Sequence, residues 1–109
     1  MVSVLTDISL VHYLVLSAIL FSAGLATVIM RRNAVVVLMG MELILNAASI
    51  NFVAFARYGH ESMHIEGHVA VIFLVTLAAA EAAVALAIVL NVYNRFSTIN
   101  VDEVGELKE

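Results

Sequence analysis

Two carboxylates sit where carboxylates rarely go. Glu42 lies within GMELILNAASINF and Glu81 within LVTLAAAEAAVALAIVL, and neither stretch contains a basic residue. A charge removed from water must be paired, hydrogen-bonded or neutralised. An ionisable side chain at the centre of a membrane helix costs on the order of 2.5–3.5 kcal/mol on insertion scales, so such groups mark ion and proton paths by default. A carboxyl that loads and releases a proton is the working unit of a translocation relay. The plainer alternative is that each Glu hydrogen-bonds across a helix interface and only specifies packing. Two acids at related depth on adjacent apolar runs weigh against it.

Helical spacing says which way the acids point. At about 3.6 residues per turn, Asn46 and Ser49 fall on the face of Glu42, and both read as interhelical hydrogen-bond partners. Ala78, Ala82 and Ala85 cluster around Glu81, where small side chains permit close helix approach or leave room for water. Counting about 1.5 Å per residue, Glu42 lies roughly 12 Å in from Ala34 and Glu81 roughly 17 Å in from Val92. Neither short side chain can snorkel that far.

Other residues offer weaker chemistry. Arg31 and Arg32 form a tight basic turn, which by itself suits topology and contact with anionic head groups. His60, His64 and His68 recur every four residues, with Glu61 and Glu66 between them. On one helix face they could bind a metal such as zinc, but Gly59 and Gly67 argue against a continuous helix there, so no metal site is assigned. His12 reads as an interfacial residue rather than a haem ligand, because no histidine at matching depth faces it.

The elements that must position these groups follow from composition. Of 109 residues, 63% are hydrophobic and 13% charged, with a mean hydropathy of +1.06. A soluble domain is roughly 45–50% apolar and about 25% charged, and a chain this short has too much surface to hide the excess. The expected fold class is therefore all-α, an integral membrane protein in one domain over 1–109, with spans at about 8–30, 34–56 and 69–92. Each run exceeds the roughly 20 residues a helix needs to cross a bilayer, and helix alone satisfies its own backbone in lipid. Arg31, Arg32, Arg95 and Lys108 lie on one side and Arg57 on the other. The positive-inside bias then puts the first loop and the C-terminus in the cytoplasm and the N-terminus outside. The short first connection makes spans one and two an antiparallel hairpin, and the acidic VDEVGELKE reads as a solvated end or a docking strip on a neighbour. With no cysteine there is no disulfide, Cys zinc site or iron–sulfur cluster. No glycine-rich phosphate loop is present, and a net charge of -4 with no basic stripe argues against nucleic acid.

Taken together, RRN, MELILNA, AAAEAA and the tail INVDEV resemble the K subunit family of proton-pumping NADH-quinone oxidoreductase, the small three-helix membrane subunit of respiratory complex I. The resemblance covers essentially the whole chain. It implies that Glu42 and Glu81 belong to a line of polar residues along the membrane arm, coupling quinone reduction to proton translocation, with Arg31 and Arg32 supporting activity. It implies partners among the other membrane subunits, especially J, A and N, in the inner (plasma) membrane. NADH, FMN, iron–sulfur clusters and quinone are then held by other subunits, with no cofactor on this chain and no isolated catalytic activity. The alternative is the small subunit of a cation/proton antiporter complex, which is similar to the K subunit. A small multidrug exporter fits less well, since span one carries no acid and the chain has no Trp.

Overall fold

The computed structural model describes residues 7–59 and 64–106, with the side chains of His64 and Glu106 left out of account. It is all-helical: α1 (Leu10–Met30), α2 (Ala34–Tyr58), α3 (His64–Phe96) and the short α4 (Val101–Glu106). The first three are long and apolar enough to cross a membrane.

Local chemistry starts each helix. His12 Nδ1 accepts the Ser9 backbone N–H at 3.1 Å, closing the first turn of α1. Met30 is followed by two arginines and Asn33, whose side chain accepts the backbone N–H groups of Val35 at 3.0 Å and Val36 at 3.4 Å. These donors have no partner inside the helix they open. Arg57 and Arg95 occupy the last turns of α2 and α3, and Glu66 the first turn of α3. Each charge complements the helix dipole at its own end.

The three long helices form one layer with α2 in the middle. The shortest principal extent is 15 Å, little more than the roughly 10–12 Å diameter of a single helix with its side chains. The buried residues are accordingly few and small, namely Ser17, Gly24, Gly40, Ala47, Ala54 and Ala56 among the described residues. Gly24 and Gly40 mark the α1–α2 crossing. A Cβ on Gly24 would meet the Gly40 carbonyl oxygen at 2.7 Å, and one on Gly40 would meet the Gly24 oxygen at 2.9 Å. At the other end of this hairpin, the Tyr58 hydroxyl donates to the Ile8 carbonyl at 3.1 Å, and the Tyr13 and Tyr58 rings lie 6.0 Å apart.

α3 packs on the opposite side of α2. The two helices come close at Gly67, where an added Cβ would come within van der Waals overlap of the Ala56 methyl. Of the two glycines expected to interrupt a helix, Gly59 caps the C-terminal end of α2, whereas Gly67 does not break α3. α3 begins at His64 and runs through Gly67 for 33 residues in all, because the glycine serves close approach rather than a turn. At that length, about 50 Å, the helix must tilt or project past the roughly 30 Å hydrocarbon core.

The C-terminal segment is the second departure from expectation. Ser97 leaves α3 with a left-handed φ of 57°, its N–H bonded to the Tyr93 carbonyl at 2.7 Å. The chain then turns back on the α1–α2 connection, where Asn100 pairs with Asn33 in an antiparallel bridge. The first part of the acidic tail is thus docked on its own chain.

Candidate functional site

Packing of α1 decides where Glu42 points. Gly40 is pressed against α1, and two residues further along the helix rotate the side chain by roughly 200°. Glu42 therefore faces away from α1, and it is half-buried. Glu81 lies on an exposed face of α3, in a shallow groove with Ala80, Val84, Ala85 and Ile88. Neither carboxylate makes a hydrogen bond or an ion pair among the described residues. The packing alternative, in which each acid bonds across a helix interface of this chain, has no counterpart there.

Among the described residues of this chain, Asn46 and Ser49 make no interhelical hydrogen bond of the kind the spacing suggests. The Ser49 hydroxyl donates to the Leu45 carbonyl of its own helix at 3.0 Å. Asn46 is exposed, and with Ser49, Ile50 and Val53 it floors a groove on one broad face, walled by Tyr13 and Leu20 of α1 and Val71 of α3. The interhelical polar contact is a different pair. Ser17, only 3% exposed, donates its hydroxyl to the Asn51 side-chain oxygen at 2.5 Å and lies 3.0 Å from the Leu14 carbonyl. Asn51 was hidden from the sequence reading because it stands about 180° around α2 from Glu42. An Asn in the second half of an apolar run, with a Ser on the neighbouring run, was the signal available.

The arginines part company. The Arg32 Nε lies 3.1 Å from an Asp102 carboxylate oxygen, with both side chains exposed. Its carbonyl also accepts the Val101 N–H at 3.3 Å. Arg31 is exposed and has no ion pair among the described residues. His60 and Glu61 lie outside the described residues, so the three-histidine motif is described only at the His64 backbone and at His68, which is exposed on α3. His12 is engaged at the start of α1.

The arrangement can do one kind of chemistry. Among the described residues, two unbonded carboxyls stand on helices of membrane-crossing length, one half-buried on the side of α2 away from α1 and one presented outward on α3. The chain contains no thiolate, so it has no soft ligand for an iron–sulfur cluster.

Comparison with known proteins agrees with this organisation. The profile of the family described as NADH-ubiquinone/plastoquinone oxidoreductase chain 4L matches residues 12–109. Among curated relatives, the NADH-quinone oxidoreductase subunit K of Chlorobaculum parvum is 51% identical over 98 residues, 90% of this chain and 90% of that protein. The subunit K of Geobacillus kaustophilus is 52% identical over 97 residues, 88% of this chain and 94% of the relative. That of Bdellovibrio bacteriovorus is 45% identical over 104 residues, covering 95% and 94%. The chain belongs to the family of NADH-ubiquinone/plastoquinone oxidoreductase chain 4L, the K subunit of NADH-quinone oxidoreductase or respiratory complex I.

Proposed function

We propose that this chain is a membrane-arm subunit of a proton-pumping NADH:quinone oxidoreductase in which Glu42 and Glu81 change protonation as quinone reduction drives translocation. The observation that carries the reading is the pair of carboxyls on membrane-length helices with no bonding partner among the described residues. An acid locked in an internal ion pair would resist exchange, whereas these two are left for water or a neighbouring subunit to address. The outward face of Glu81, lined by alanines, suits a partner helix carrying a polar group.

In this reading Arg31 and Arg32 support activity from the cytoplasmic turn, and the J, A and N subunits are the neighbours. The protein sits in the inner (plasma) membrane with its N-terminus outside and its C-terminus in the cytoplasm. NADH, FMN, iron–sulfur clusters and quinone belong to other subunits, and this chain contributes no redox step of its own. The two acids either pass a proton or pass its electrostatic effect, since protonating one buried acid alters the affinity of another nearby.

The test is Glu42→Gln and Glu81→Gln in the assembled complex. Each is expected to lower quinone-linked proton pumping by at least about a hundredfold, the lower end of what a positioned acid–base group contributes. NADH oxidation by an artificial acceptor should persist, because that chemistry lies elsewhere. Normal proton-to-electron ratios in both variants would remove the assignment.

A further inference from the structure

The α2–α3 pair is held at its two ends by different means. At one end Gly67 lets α3 close on Ala56. At the other, α2 and α3 are joined through the segment that follows α3. Ile99 accepts the Ala34 N–H at 3.0 Å, and Val101 donates to the Arg32 carbonyl at 3.3 Å. Asn33 pairs with Asn100 between these two bonds, and Asp102 meets Arg32 at 3.1 Å. Beneath them, Ile99, Val101 and Val104 of the tail line an apolar pocket with Ala34 of α2 and with Ile88 and Val92 of α3.

The bond to Ala34 matters most. Asn33 satisfies the Val35 and Val36 donors, and the tail satisfies the Ala34 N–H that precedes them. The N–H groups of Ala34, Val35 and Val36 are thereby all capped, the first of them by a segment whose other end is continuous with α3. Thr98, just before this segment, donates to a Glu103 carboxylate oxygen at 2.8 Å, and the Asn100 side chain accepts the Asp102 N–H at 3.3 Å. The shape of the segment is therefore set by its own side chains as well as by its partners.

We infer that the Ile99–Val104 segment is a clasp that fixes the axial register of α2 against α3, with Asn100, Val101 and Asp102 as positioning residues for Glu42 relative to Glu81. This rests on the relay reading for its functional consequence, but its structural half can be measured alone. Glu42 is carried by α2 and Glu81 by α3. Any slip between these helices changes the separation of the acids, and a displacement on the order of 1 Å is enough to degrade a transfer step.

The experiment uses the assembled complex carrying Val101→Pro together with Asp102→Asn. Proline removes the N–H that bonds Arg32 yet suits the first position of α4, and Asn removes the ion pair without changing shape. Spin labels attached through unnatural amino acids at Met39 on α2 and Leu86 on α3, both exposed, report the interhelical distance. The expected result is a wider distance distribution and a pumping yield per electron lowered on the order of a hundredfold, with artificial-acceptor activity intact. Asp102→Glu alone should preserve both readouts.

An unchanged distance distribution overturns the clasp whatever happens to pumping. A wider distribution with normal pumping overturns its positioning role. The relay itself stands or falls on the Glu→Gln variants, so the two failures are distinguishable. If the double variant does not assemble on native gels, the same two measurements on Val101→Pro alone decide the question.

Discussion

At the residue scale, Ser17 and Asn51 show how one polar pair can hold an apolar hairpin together. Ser17 is 3% exposed and its hydroxyl reaches the Asn51 oxygen as well as a carbonyl of its own helix. Between membrane helices such a bond is worth about 0.6 kcal/mol on average and at most about 1.7, because the unfolded helices also find partners. A double-mutant cycle with Ser17→Ala and Asn51→Ala, read by unfolding in mixed micelles, should give a coupling in that range, and zero coupling would dismiss the bond. The acids were legible because a Glu within twenty apolar residues stands out in any window. Asn51 was not, since the helical wheel drawn from Glu42 selects Asn46 and Ser49 and places Asn51 on the far side. Asn46 and Ser49 do line one groove together, but among the described residues the neighbouring helices of this chain offer them no hydrogen bond.

At the scale of elements, glycine decides more than hydrophobicity does. Every long helix here is apolar around most of its circumference, so burial cannot select which faces meet. Close approach can. Adding a methyl at Gly24 forces it against the Gly40 carbonyl and the side chains of Ile44 and Leu43. Gly24→Ala is therefore expected to destabilise the hairpin by about 1–3 kcal/mol, the usual cost of overpacking. Gly105 supplies the control, because nothing lies within 4 Å of the Cβ it lacks. Gly105→Ala should stay within about ±0.5 kcal/mol, as surface changes generally do. Thermal unfolding of both variants in detergent makes the comparison, and equal losses would show that the crossing is not tight. The three apolar helices were readable from composition and length. Gly67 was misread because a single glycine beside His and Glu residues resembles a breaker, and only the position of Ala56 across the interface reveals its use. The docking of Asn100 on Asn33 has no periodic signature at all, being a long-range pairing of two loops.

At the scale of the whole molecule, one layer of helices cannot bury what it carries. Ile19, Phe21 and Leu25 of α1, Phe52 and Phe55 of α2, and Phe73, Val84 and Leu90 of α3 are all exposed. In water such surfaces aggregate; in a bilayer they are matched by acyl chains or by other subunits. Two opposite ends of this layer can be told apart by charge. Arg31, Arg32 and Arg95 share the end where Asn33 meets Asn100, and Arg57 stands at the other. The bias in Lys and Arg argues that the first end is cytoplasmic, because translocating clustered positive charge opposes the membrane potential and the positive-inside rule. This is testable because the chain has no native cysteine. Single cysteines replacing Gly105 and the exposed Ile65, probed with a membrane-impermeant maleimide, should behave in opposite ways. Gly105→Cys should react in inside-out vesicles and be protected in intact spheroplasts, with Ile65→Cys showing the reverse. Swapped labelling would invert the protein in the membrane and place the clasp on the outer side, where it could not support a cytoplasmic arginine turn.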